Sequence, residues 1–188
     1  MTKGTVNGPV SGPANGPASG STIELAPVAP PDRPVLARLL QLYLYDFSAW
    51  RPQDVTAQGT FAYRYFDAYF TEPSREACLI RVGGALAGFT MTRELPDGER
   101  EMSEFFVLRG HRRHGTGRVA ALHTLRRHPG RWVLDFDHAN HVAARFWPLV
   151  AAEATESAGG TVSREDHFPP AVAHAVTCLR FSVAPPAD

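Results

Sequence analysis

The chain has 188 residues, 44% of them hydrophobic, which is enough for one enzyme-sized core and does not call for a second. Its 19 basic and 19 acidic residues cancel, so no net charge recruits nucleic acid or a membrane surface. No apolar run approaches the length of a membrane span or a secretory signal, and Cys78 and Cys178 lie in apolar stretches, so we expect free thiols and a cytoplasmic location.

The first residues differ in composition from all that follow. Residues 1–21 repeat Gly and Pro with Asn and Ser and carry few side chains that could build a core. This mixture favours a disordered tail. We therefore expect a tail over residues 1–21 and a single domain over residues 22–188.

The first half of the domain is predicted to hold a strand, a helix and a run of antiparallel strands. Thr22–Val28 alternates as a strand, and Pro31 and Asp32 open a helix with periodic leucines. The aromatic stretch 61–70 fits either a short helix or a loop. Turn signals then delimit three strands, at Ala77–Val82, Ala85–Arg93 and Arg100–Leu108.

The second half alternates helices and strands. A helix follows the glycine turn near residue 115, and a strand follows around Trp132. The next helix runs from about Asn140 to Glu153, where Pro148 should kink or break it. Gly160–Ser163 and Ala175–Val183 are the last strand candidates. This order predicts an α/β (α+β) fold, with a mixed, mostly antiparallel central sheet and helices on both faces.

The glycine turn has the features of an anion site, and we call Arg112–Arg118 the anion cradle. Gly115 and Gly117 leave no side chain over the turn, so backbone N–H groups can converge on a phosphate at the positive end of the next helix. Arg112, Arg113 and Arg118 add cations. The pattern predicts a ligand with a phosphate chain.

The residues of the glycine turn can also be compared with two other phosphate-binding motifs. The residues disfavour a nucleotide triphosphatase loop, because Thr116-Gly117 stands where Lys-Ser/Thr is required. A dinucleotide fingerprint fits better, with Ala120 in place of the third glycine and Asp135 or Asp137 at the acidic position. It remains a competitor, although the chain does not alternate strand and helix from its start, as such a domain would.

The run Arg112–Gly117 resembles the pyrophosphate loop Q/R-x-x-G-x-G/A of the GNAT superfamily of acyl-CoA-dependent N-acyltransferases. A second stretch, Asn140–Trp147, is similar to the family's N-x-x-A-x-x-Φ-Y, where Φ is apolar, with Trp147 in the tyrosine position. The resemblance covers approximately residues 22 to 183. It implies the GNAT fold and direct transfer of an acyl group from acetyl-CoA, or another acyl-CoA, to a primary amine.

The resemblance also implies which residues bind the cofactor. The strand before the cradle is expected to splay from its neighbour and free backbone groups for the pantetheine amides, while the cradle receives the pyrophosphate. The expected cofactor-binding residues are Phe106, Val107, Leu108, Arg112, Arg113, His114, Gly115, Thr116, Gly117, Arg118, Asn140 and Trp147.

A general base is required because a primary amine, with a pKa of about 10, is mostly protonated at neutral pH. Glu104 is the first candidate and Glu101 the second. Three residues apart, they point to opposite faces of a regular strand unless a bulge intervenes.

The resemblance leaves the general acid for the leaving thiolate unassigned. Many family members use a tyrosine at the position of Trp147, and an indole cannot donate a proton in its place. Cys178 and four tyrosines could substitute, although the tyrosines are also expected to pack in the core: Tyr43, Tyr45, Tyr63 and Tyr65. The missing tyrosine permits an alternative function, a catalytically silent acyl-CoA-binding or regulatory module.

The acceptor pocket is expected between the aromatic stretch Tyr43–Phe70 and a loop at Arg164–Pro170. Glu165 and Asp166 in that loop favour a cationic small amine. We expect no nucleic-acid or membrane partner and leave a homodimer possible.

His138 and His141 have helical spacing and could form a metal site with Asp135 or Asp137. Helix capping and solvent exposure explain them equally well, so we expect no metal.

Overall fold

A computed structural model describes residues 22–156, 159–170 and 174–185. Seven strands form one sheet in the order β1-β2-β3-β4-β5-β7-β6. Their bounds are Ile23–Pro27 (β1), Arg75–Val82 (β2), Ala85–Glu94 (β3), Arg100–Val107 (β4), Gly130–Asp137 (β5), Ser163–His167 (β6) and Val176–Val183 (β7). All neighbouring strands are antiparallel except β4 and β5. The predicted tail, residues 1–21, lies outside the described residues.

Helices cover both faces of this sheet, as the sequence predicts. Helices α1 (Arg33–Phe47) and α2 (Ala68–Thr71) pack on one face, and α3 (Thr116–Arg127) and α4 (His141–Glu156) pack on the other. Successive strand residues alternate between the two cores. On β4, for example, Phe106 lies under α1 and Val107 lies against α3. In the part of the chain that the structure describes, no helix is long and apolar enough to cross a membrane.

The core on the α1 face follows from leucine spacing. Leu36, Leu40 and Leu44 are buried at helical intervals and contact the sheet through Phe89. Each buried leucine contributes about 1.5–3 kcal/mol relative to an exposed one. The core therefore fixes α1, and with it the residues that follow its last turn.

Two sequence expectations differ from the structure. Pro148 does not break α4, which runs continuously to Glu156. The helix tolerates the lost N–H because buried residues on both sides of the proline, Trp147 and Val150, anchor it to the sheet. The last hairpin is also shifted: Arg164–His167 form strand β6 instead of a loop, because they pair with β7 from Ser163 onward.

The strands β4 and β5 separate soon after they meet. They pair only at Arg100 with Trp132 and at Glu101 with Val133. Beyond these pairs the sheet opens toward the carboxyl ends of both strands, and we call this opening the splay. It leaves backbone groups of β4 without a strand partner on the side of β5.

A β-bulge lies in β4 just before the splay. Met91 of β3 pairs with Glu104, but the next residue, Thr92, pairs with Met102. Ser103 is therefore the extra residue that shifts the alternation of side chains.

Candidate functional site

The anion cradle is built as the glycine pattern predicts. Gly115 precedes the first turn of α3 with φ 80°, in the left-handed region, and its carbonyl accepts the N–H of Val119 at 3.1 Å. Arg113 also has a positive φ, of 67°. This backbone leaves the first N–H groups of α3 directed outward, where the helix dipole favours an anion.

The cradle arginines differ in what they contact. The Nε of Arg112 donates to the carbonyl of Val107 at 2.7 Å, and its Nη2 donates to Asp46 at 2.8 Å. Arg118 pairs with Glu153 of α4, with Nε to Oε2 at 2.6 Å. Arg112 thus holds the loop in shape. Arg113, like His114, is exposed at the mouth of the cradle.

Only part of the predicted pantetheine strand faces the splay. Phe106 points its side chain into the α1 core, and the N–H of Leu108 donates to Ala87 of β3 at 2.8 Å. Because backbone groups alternate along a strand, those of Val107 point away from β3. Val107 is therefore the predicted position whose backbone lines the splay.

The two predicted positions around α4 lie at the same opening. The side-chain oxygen of Asn140 accepts the N–H of Ala143 at 3.1 Å and so caps the helix. Trp147 is buried, with its ring 5.2 Å from that of Phe105 and 4.9 Å from that of Phe146. The indole therefore fills a hydrophobic cluster between α4 and β4.

Glu104 lies on the α1 face beside the splay. The hydroxyl of Tyr63 donates to its Oε1 at 3.0 Å. Burial raises the pKa of Glu104 from its ordinary value near 4.5 to about 7, and the charge of Glu101 acts in the same direction. Hydrogen bonds from Tyr43 and Tyr63 and the charge of Arg51 act in the opposite direction. Such a pKa suits a base that operates at neutral pH.

The bulge at Ser103 decides how the two candidate carboxylates are arranged. Met102 packs in the α3–α4 core, whereas Glu104 faces α1, so Glu101 and Glu104 lie on the same face of β4. Glu101 forms an ion pair with Arg93. No such arginine partner is found for Glu104 in the described residues; it accepts from Tyr63 instead.

A third group of charged residues, which the sequence analysis did not combine, lies at the end of β5. Asp137 is only 1% exposed, and the guanidinium of Arg51 donates to both of its oxygens at 3.0–3.2 Å. The Nε2 of His174 lies 2.8 Å from Oδ1 of Asp137. We call these three residues the Asp137 cluster. A buried acid ending an apolar strand is the one sequence signal that could have indicated it.

Three of the candidate proton donors, Tyr43, Tyr63 and Cys178, are weaker acids here than usual. Burial and the charge of Glu104 raise the pKa of Tyr43 and of Tyr63 well above the usual tyrosine value. Burial and the neighbouring Asp135 raise the pKa of Cys178 to about 11. None of the three is suited to donate a proton at neutral pH.

The acids of the predicted acceptor loop do not form a free anionic patch. Asp166 accepts from Thr177 at 2.6 Å and pairs with Arg164, while Glu165 lies 3.8 Å from Arg180. His138 contacts Thr177 at 2.7 Å. Within residues 22–156, 159–170 and 174–185, no group of three His, Cys, Asp or Glu side chains is arranged to hold a metal ion.

Several solved structures share this fold. An acetyltransferase from Thermus thermophilus superposes with a TM-score of 0.60 at 18% identity, covering 86% of this chain and 97% of its own. A spermidine N-acetyltransferase from Vibrio cholerae, solved with CoA and spermine, gives 0.59 at 12% identity, with 86% and 95% covered. A Bacillus subtilis acetyltransferase solved with CoA gives 0.53 at 13% identity, with 87% and 99% covered.

The antiparallel sheet and these neighbours rule out the dinucleotide-binding alternative, which requires a parallel, doubly wound sheet. No curated protein matches the sequence. The sequence model of the acetyltransferase (GNAT) family matches residues 37–148, more than half of the chain, including the cradle and the stretch Asn140–Trp147. The chain therefore belongs to the GNAT acetyltransferase family, whose members are acyl-CoA-dependent N-acyltransferases.

Proposed function

We propose that the protein transfers the acetyl group of acetyl-CoA to the primary amine of a small molecule, with Glu104 as the general base. The observation that carries the proposal is the environment of Glu104. A largely buried carboxylate with a pKa of about 7 lies beside the splay and can take a proton from an ammonium or amine that enters from the α1 face.

The cofactor would occupy the splay and the cradle. The backbone N–H of Val107, whose carbonyl already accepts from Arg112, would donate to a pantetheine carbonyl, and the first N–H groups of α3 would receive the pyrophosphate. Arg113 would add positive charge at the exposed mouth, where His114 also lies. Arg112 would contribute by holding the loop through the Val107 carbonyl.

The reaction would be a direct transfer. The amine nitrogen forms a bond to the thioester carbonyl carbon, the C–S bond breaks, and the electron pair leaves on the CoA sulfur. Glu104 takes the proton lost by the nitrogen. We assign no general acid, because a thiol of pKa about 8.5 leaves as a thiolate without one.

Calorimetric titration with acetyl-CoA, followed by a panel of amines with thiol-release detection, tests this proposal. We expect acetyl-CoA to bind and at least one amine to be acetylated. Glu104→Gln should keep the binding but lose about 10²- to 10⁴-fold in kcat. Glu101→Gln is the matched control and should lose much less, because Arg93 already pairs with that carboxylate.

The alternative function, a silent acyl-CoA-binding module, gives a different result. Acetyl-CoA would bind, but no amine would release thiol above the uncatalysed rate, and Glu104→Gln would change nothing. Failure of acetyl-CoA to bind would contradict the assignment of the donor and direct the search to other acyl-CoA esters.

A further inference from the structure

In the Asp137 cluster, one edge of the Arg51 guanidinium is not in contact with Asp137. Asp137 occupies the Nε and Nη2 of Arg51, and in the described part of the chain no hydrogen bond involves its Nη1. The Arg51 side chain is 41% exposed, whereas Asp137 is 1% exposed. The ring of Phe47, 5.5 Å from the guanidinium carbon, further restricts the plane. Arg51 is thus a rigid, half-exposed cation.

This cation faces the same space as the candidate base. The guanidinium carbon of Arg51 lies 5.5 Å from the ring of Phe47, and that ring stacks at 5.4 Å on Tyr43, whose hydroxyl is a hydrogen-bond partner of Glu104. The cluster also joins two segments at the carboxyl end of β5. Arg51 follows α1, and His174 precedes β7. Arg51 therefore lies on the α1 face of the sheet, the face on which Glu104 lies.

The charges around the base include a cation that an acceptor can reach. Among the described residues, Glu101 and Asp137 each have an arginine partner, whereas no salt bridge is found for Glu104 or for the exposed Asp135 of β5. Glu165 and Asp166, which had favoured a cationic acceptor, are also paired. The site thus offers the carboxylates of Glu104 and Asp135 for an amine, beside one accessible guanidinium edge.

We propose that Arg51 binds a carboxylate of the acceptor, so that the acceptor is an amine carrying a carboxylate close to its nitrogen, as in an amino acid. The Nη1 edge of Arg51 would hold the carboxylate while Glu104 accepts the proton of the amine. Asp137 is the positioning residue that fixes the guanidinium. This inference rests on the proposed function and specifies its substrate class.

Matched pairs of compounds test it most directly. Each amino acid is compared with the amine that remains when its α-carboxylate is removed, for example phenylalanine with phenethylamine, leucine with isoamylamine, and arginine with agmatine. We expect at least one amino acid to have a kcat/KM about ten- to a hundred-fold above that of its amine, the effect of one charged hydrogen-bonded contact. Arg51→Ala and Arg51→Lys should remove most of this preference, mainly through KM.

Arg33→Lys provides the control, since Arg33 also pairs with an aspartate, Asp67, and also stacks on an aromatic ring, that of Phe70. It should leave the preference unchanged. Each preference is the ratio of two kcat/KM values measured on the same variant. A smaller folded fraction lowers both values equally and therefore does not change the ratio.

The outcomes separate this inference from the proposed function. If amines are acetylated without preference for the carboxylated partner, or if Arg51→Ala keeps the preference, the inference is overturned and the acetyltransferase stands. If no amine is acetylated, calorimetry with CoA-saturated protein decides. An amino acid that binds the wild type at least ten-fold more tightly than Arg51→Ala supports the carboxylate site, and equal or absent binding overturns it.

Discussion

The proposed cofactor side and the proposed acceptor side of the molecule are built in different ways. The proposed cofactor side is mainly one continuous run of chain, from Val107 through the cradle into α3, and we expect backbone groups to make most of its contacts. The acceptor side gathers side chains from four separate segments. Tyr63 and Glu104 are in contact although they are 41 positions apart in the sequence, and Arg51 and Asp137 are 86 positions apart.

This difference determines what each side tolerates. A backbone site depends on φ and ψ and on the absence of side chains at a few glycines, so most of its residues can change without loss. A side-chain site depends on each partner, because a buried charge without its partner is costly. We therefore expect the cofactor side to be common to the fold and the acceptor side to be specific to this chain.

Removing the central acid of the Asp137 cluster should have the largest effect on stability. Asp137→Ala removes the hydrogen bonds that this carboxylate accepts from Arg51 and shares with His174, and it should lower the free energy of unfolding by about 3 kcal/mol, since a hydrogen bond to a charged group contributes about 1.5–3 kcal/mol. Urea unfolding of the two proteins measures the change. The cradle lies on other elements, so acetyl-CoA affinity of the folded fraction should stay the same.

Asp67→Ala is the control for this experiment. The pair of Asp67 with Arg33 is exposed, and its loss should cost less than about 1 kcal/mol. Equal losses in the two variants would show that the Asp137 cluster is no more than an ordinary surface ion pair.

The raised pKa of Glu104 should link stability and activity to pH in opposite directions. Between pH 4.5 and about 7, Glu104 is ionised in the unfolded chain but still protonated in the folded one, so stability falls as pH rises through this window. The total loss is up to about 3 kcal/mol, since one pKa unit corresponds to about 1.4 kcal/mol. The rate of acetyl transfer should rise through the same window, because only the carboxylate can accept the proton.

Glu104→Gln isolates this effect, because glutamine does not titrate. The difference in unfolding free energy between the variant and the wild type should increase from pH 5 to pH 8 in favour of the variant, by roughly 2.5 kcal/mol. A difference that does not vary with pH would mean that the carboxyl group is not perturbed by burial.

The same contrast explains what the sequence could and could not predict. Local sequence patterns predict the strand, turn and helix of the cradle, most strands of the sheet, and the helix cap at Asn140. The bulge at Ser103 has no local signal, so the choice between the faces of Glu101 and Glu104 stayed open until the register with β3 was known. Arg51 and His174 meet Asp137 only through the tertiary fold, and no spacing along the chain predicts that contact.

The cofactor side should be most sensitive at Gly115. An alanine there must adopt a left-handed conformation at φ 80°, which costs about 1–2 kcal/mol, although its Cβ would meet no atom within 4 Å. Gly115→Ala should therefore lower stability by that amount and weaken acetyl-CoA binding by shifting the first N–H groups of α3. Gly115→Asn, which tolerates this conformation better, should lie closer to the wild type in both measurements.

The smallest effect is expected at the ion pair between α3 and α4. Arg118 and Glu153 are partly exposed, so neither Arg118→Gln nor Glu153→Gln should change stability by more than about 1 kcal/mol. The two substitutions should nevertheless change the affinity for acetyl-CoA in opposite directions if Arg118 interacts with both Glu153 and the pyrophosphate. Removing Glu153 would free the guanidinium and tighten binding a few-fold, whereas removing Arg118 would weaken it, and both changes should shrink at high salt. Equal affinities in calorimetry would instead assign Arg118 to the packing of α3 on α4 and leave the backbone and Arg113 as the phosphate site.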